Sequence, residues 1–137
     1  HGYGSANTSN RNESDRFGNE SGSGKSSLGL MRATGSNQVS GAAGRRGTPI
    51  QRFEGLEAGF NDNVASRNVI MHQAKNRRGQ YADSRGVHGN SAGCWVLEPE
   101  ANDRIVATIP AGALIFNYSP DRRYLQNSTY LKKKLQQ

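Results

Sequence analysis

The 137-residue chain has one cysteine, Cys94, and three histidines, His1, His72 and His88. A thiol with an imidazole at hand is equipped for nucleophilic acyl chemistry. The thiolate attacks an acyl carbon, the imidazole takes the proton, and nearby backbone N–H groups hold the developing oxyanion. The stretch Asn90-Ser91-Ala92-Gly93-Cys94-Trp95 suits that role. Gly93 lets the backbone turn sharply and leaves room for a substrate. Ser91 and Ala92 are small and keep the mouth of a site open, N–H groups near Gly93 and Cys94 are candidate oxyanion donors, and Trp95 can wall the thiol on one side. His72 ends a strand-like run, Val69-Ile70-Met71-His72. It is preferred as the base because a rigid element holds a catalytic group best. His88 lies in a Gly-flanked loop and is the alternative. For an arbitrary chain the plainer account is the default: a buried structural thiol and a satisfied core histidine.

Positioning such a pair needs strands. Ser26–Thr34, Ile50–Leu56, Val69–Ala74 and Ala113–Tyr118 carry the apolar or alternating patterns of strands, the last two as buried ones. Trp95–Leu97 fits a strand or a first helical turn. Residues 61–68 are expected as a short helix with Asn61 or Asp62 as N-cap. A second helix is expected from Pro99 through Ile109, with Pro at an early position and acidic groups in the first turn. Residues 1–24 have the composition of a loop or arm, 80–90 are turn-rich, and a C-terminal helix is expected from Ser128 onward.

The core these elements share must be small, since Leu, Ile, Val and Phe number 23 in all. They concentrate between Val64 and Phe116, which predicts one mainly β domain with one or two short helices. The formal net charge of +7 favours polyanionic partners. A basic module binding anionic cell-envelope polymer or nucleic acid, with no catalysis, is therefore the alternative to an enzyme. One cysteine excludes an internal disulfide and a multi-cysteine metal site, so no metal and no cofactor are expected. Gly24-Lys25-Ser26 resembles the end of a phosphate loop, but Asn19 stands where that motif needs its first glycine. No apolar run reaches the roughly 20 residues of a membrane span.

Three ordered segments narrow the function: Gly55-Leu56-Glu57-Ala58-Gly59-Phe60-Asn61-Asp62-Asn63, Arg67-Asn68-Val69-Ile70-Met71-His72-Gln73-Ala74, and Ser91-Ala92-Gly93-Cys94. Together they resemble the YkuD-like murein L,D-transpeptidase catalytic domain. Phe17-Gly18-Asn19, Gly22-Ser23, Ser26-Ser27-Leu28-Gly29 and the Gly112–Tyr118 stretch extend the resemblance to about Tyr124. It implies a β-rich, sandwich-like domain over residues 1–124, with the family's first strand falling before His1, and a basic tail over 125–137. It implies a Cys94 nucleophile and a His72 base acting on peptidoglycan stem peptides in the bacterial periplasm or outside the cell. In that family the thiol attacks the bond after the diamino acid of a tetrapeptide stem and releases D-alanine. An amine or water then resolves the thioester.

The chain departs from the family's pattern at Gln73, where Gly is usual after the histidine. Ala92 stands where His, Arg or Trp is common, and Asn90 where Arg is usual. Arg85 and His88 are candidates to replace the missing positive charge. With Arg67, Asn90 and Trp95 they form the expected substrate-binding set, while Gly93 and Ser91 complete the catalytic stretch.

Overall fold

The computed structural model describes residues 3–4, 16–38, 47–73 and 90–132. Alternation of side chains organises it. In Pro49–Gly55 (β3), Ile50, Gln51 and Phe53 are buried and Arg52 is exposed. Gly29–Gln38 (β2) pairs antiparallel with β3 and buries Met31 and Ala33. Ile70–Gln73 (β4) pairs antiparallel with β3, and Trp95–Leu97 (β6) pairs parallel with β4. Leu114–Asn117 (β7) closes the other side against β2, giving the order β6-β4-β3-β2-β7. A separate two-stranded piece joins Tyr3–Gly4 (β1) in parallel to Asn90–Ser91 (β5). The described residues are thus mostly β with two short helices, as expected.

Pairing register assigns each side chain to a face. Met31, Ala33, Phe53, Met71, Trp95 and Ile115 share one face. Helix α1, Pro99–Thr108, lays Val106 and Ile105 on that face, and these residues form the core. Pro99 starts the helix where its missing N–H costs nothing. Phe53 and Trp95 meet edge to face with ring centroids 5.0 Å apart, a geometry favoured by the ring quadrupoles. The opposite face carries Arg32, Glu54, Arg52, Ile70 and His72, and Arg32 and Glu54 form an ion pair across β2 and β3.

Three expectations are corrected. Residues 61–68 form successive turns rather than a helix. The Asn61 side chain is drawn away: it accepts from Glu57 N at 2.8 Å and donates to the Leu28 and Leu30 carbonyls. Asp62 instead accepts from Gly59 N and from the Asn19 amide. Side-chain bonds of this kind compete with helix formation. The β7 strand is not buried, because it lies at a sheet edge with Leu114 60% exposed. The C-terminal helix, α2, spans Arg122–Asn127 and ends where Ser128 was expected to begin one. Asp121 caps it by accepting from Tyr124 N at 2.8 Å.

Two further segments are more ordered than their composition predicts. Residues 16–28 pack on the turns at 61–67. Leu125–Ser128, set apart as part of a tail, lies in and after α2, with Ser128 buried.

Candidate active site

Cys94 immediately precedes β6, so the β4–β6 pairing decides what it meets. Met71 faces Trp95 and His72 faces Val96, which sets Cys94 beside Ile70. Alternation then places positions 70, 72 and 96 on the face opposite the core side chains of 71 and 95, with Ile70 buried and His72 and Val96 half-buried. His72 and Cys94 are diagonal neighbours. Strand rise and spacing put such Cα atoms about 8 Å apart. Sγ is turned to the backbone at Asn68 and Ile70, and His72 Nδ1 to the Gln73 carbonyl. Trp95 points the other way, onto Phe53, so its ring braces the strand from the core side.

The thiol is half-buried. Sγ donates toward the Asn68 carbonyl at 3.8 Å. Asn68 has φ 54, the left-handed region uncommon for a residue with a side chain. Its amide oxygen accepts from Arg52 Nη1 at 2.8 Å, holding this bend in place. Burial raises the Cys94 pKa, against the lowering effects of the Ile70 N–H and the Arg67 charge. The resting thiol is therefore protonated at neutral pH, and nucleophilic attack needs a base. His72 is half-buried, with Nδ1 2.8 Å from the Gln73 carbonyl. A carbonyl only accepts, so Nδ1 is the donor in this contact, and Nε2 is the ring nitrogen left to face a proton donor.

The turn before the thiol is held from two sides. Ser91 Oγ donates to the Cys94 carbonyl at 2.7 Å. Ser26 Oγ donates to the Gly93 carbonyl at 3.0 Å in a buried bond. Both bonds act on carbonyls and leave the N–H groups of this turn free of those two hydroxyls. Gly93 has φ 103, and a Cβ there would lie 2.5 Å from the Lys25 carbonyl oxygen.

Arg67, expected to meet substrate, spends its guanidinium inside the protein, on Gly18 O, Ser27 Oγ, Ser23 Oγ and Lys25 O. Gln73 donates to Thr48 Oγ1 at 2.8 Å, which ties the position after the histidine to the start of β3. Asn90 is placed in β5 through its backbone pairing with Tyr3. Arg85 and His88 lie outside the described residues. Lys25 and Ser26 were not picked out as site residues. Ser26 stands in the Ser26-Ser27-Leu28-Gly29 motif and at the end of the rejected phosphate-loop match, and neither gives it a role at the thiol. Among the described residues no cluster of three or more His, Cys, Asp or Glu is arranged to hold a metal. No helix among them is long and apolar enough to cross a membrane.

The site thus holds a half-buried thiol just before β6 and a half-buried histidine on the paired strand β4. The family model for the L,D-transpeptidase catalytic domain matches residues 1–118. No curated protein and no solved structure matches the chain.

Proposed function

The chain belongs to the L,D-transpeptidase catalytic domain family, and from that premise we propose that it transfers acyl groups of peptidoglycan stem peptides through a thioester on Cys94. The supporting observation is the β4–β6 register, which sets Cys94, the residue just before β6, one step from His72 of β4. In this reading His72 Nε2 takes the thiol proton as the sulfur attacks the diamino acid's carbonyl carbon, the one bonded to the D-alanine nitrogen. Backbone N–H groups at the Gly93–Cys94 turn stabilise the oxyanion. The tetrahedral intermediate collapses, the C–N bond breaks, and His72 returns the proton to the departing D-alanine amine. An amine or water attacks the thioester next, and the thiol is regenerated. A location in the periplasm or at the cell wall follows from the same reading. Arg85, His88 and Asn90 are proposed to meet the stem peptide. The +7 charge favours the carboxylates such stems carry. A purely polyanion-binding module would give the half-buried thiol and the nearby imidazole no use.

Incubation with defined tetrapeptide muropeptides, followed by mass analysis, tests this. The expected result is loss of D-alanine with formation of tripeptides, exchanged stems or cross-linked dimers, and none of these with Cys94→Ala. Unchanged tetrapeptides with the native chain would remove the proposal.

A further inference from the structure

Arg67 lies in the turns between β3 and β4, and no step above uses it. Its Nη1 donates to Gly18 O at 3.1 Å and Ser27 Oγ at 3.0 Å. Its Nη2 donates to Lys25 O at 2.5 Å and Ser23 Oγ at 3.3 Å. All four acceptors belong to one loop, residues 18–27. A solvated surface arginine does not commit its fork in this way, whereas a planar guanidinium suits holding several carbonyls and hydroxyls in fixed directions.

That loop is also what the nucleophile's turn rests on. Ser26 Oγ bonds the Gly93 carbonyl. The Lys25 carbonyl blocks the space where a side chain at Gly93 would go, and Arg67 Nη2 lies 3.3 Å from the same point. We infer that Arg67 is a positioning residue for Cys94: its fork fixes the 18–27 loop under Gly93, and its permanent charge lies close enough to favour the thiolate. The inference rests on the reading of Cys94 as the nucleophile. It assigns Arg67 to the nucleophile's support and not to the substrate.

The physical logic has two parts. Without the fork, Lys25 O, Ser23 and Ser27 lose their common donor, and the loop no longer presses the Gly93 turn into one conformation. A small displacement of a nucleophile is costly in rate. Without the charge, burial alone acts on the thiol and its ionisation moves to higher pH. The Arg67 charge is consistent with this direction, since it opposes the effect of burial on Cys94. Other charged or titratable groups also bear on the pair. His72 faces it from β4, while Lys25 and Glu20 belong to the loop, and Glu20 acts on Arg67.

The test measures iodoacetamide alkylation of Cys94 against pH, together with D-alanine release from tetrapeptide muropeptides, for wild type, Arg67→Gln and Arg67→Lys. Circular dichroism checks the fold of each variant. In Arg67→Gln the alkylation midpoint is expected to rise by about one unit, and D-alanine release to fall about tenfold or more. In Arg67→Lys the midpoint returns towards wild type but release stays low, because one ammonium cannot reach four acceptors. A wild-type midpoint in Arg67→Gln, or wild-type release in Arg67→Lys, overturns the inference. If Arg67→Gln does not fold, the release rate of Arg67→Lys decides alone. Absence of D-alanine release by wild type removes the parent reading instead, and the alkylation profiles still judge Arg67.

Discussion

Gly93 shows what a single position contributes to this site. Its φ of 103 lies where residues with a Cβ are strained, and the Lys25 carbonyl occupies the space a Cβ would need. Gly93→Ala is expected to cost about 3 kcal/mol from backbone strain and overpacking together. Urea denaturation checks this, and the variant is expected to lose D-alanine release even where it remains folded. The need for glycine here was legible in the sequence, since small residues before a lone cysteine suggest a turn and an open mouth. The reason was not legible. The obstructing atom comes from Lys25, far away in the chain, and no local pattern shows which backbone will pack there. Arg67 illustrates the same limit. A basic residue in a polar segment looks solvated from its neighbours in sequence, and only the fold shows its guanidinium sharing one loop's acceptors. Cys94 and His72 stood out because each is rare and lies in a short, distinctive stretch.

Among the elements, α2 is held by a buried carboxylate. Glu57 has no exposed surface and lies at the start of the turns that lead to β4. Its Oε1 accepts from Leu30 N and the Tyr124 hydroxyl, each at 2.8 Å. Its Oε2 accepts from Ser128 Oγ at 2.7 Å and Thr129 N at 3.2 Å. One side chain thus joins β2, the turns and both ends of the α2 region. Tyr124 is the titrating member of this cluster, its pKa pushed up to about 12, first by burial and further by Glu57, while Ser128 acts the other way. The folded state therefore favours the neutral phenol. The associated stability is fully present below about pH 10, the ordinary tyrosine value, and is lost as pH rises through 12. An alkaline unfolding curve followed by circular dichroism is expected to show a destabilising step in that window. Tyr124→Phe, which has no proton to lose, is expected to lack the step while being less stable at neutral pH by about 1 kcal/mol. This cluster also explains why the C-terminal helix was misplaced from sequence. Apolar periodicity past Pro120 is weak, and what ends α2 at Ser128 is a bond to a carboxylate distant in the chain. The strand pattern of β3, β4 and β6, by contrast, was visible, because burial of one face imposes an alternation that neighbouring residues display. The same pattern could not show that β7 lies at an edge, since an apolar strand looks alike with one neighbour or two.

At the scale of the whole molecule, one sheet separates stability from chemistry. Its core face packs Phe53, Met31 and Met71 against α1. Its other face carries His72 on β4, with Cys94 just before the paired strand β6. With so few large apolar residues, the chain relies on polar clusters around Glu57, Asn61 and Arg67 to fix segments that a larger core would hold by packing alone. Family membership over residues 1–118 fits this division. Several of the sequence motifs that point to the family fall on the segment 17–29, the turns 55–68 and the Cys94 turn, pieces that meet near the thiol. The central claim is that Cys94 is an acylatable nucleophile in this setting. Intact-protein mass spectrometry after exposure to a carbapenem tests it most directly. The account predicts one covalent adduct of the drug's mass on the native chain and none on Cys94→Ala. No adduct on the native chain, or the same adduct on Cys94→Ala, would contradict it.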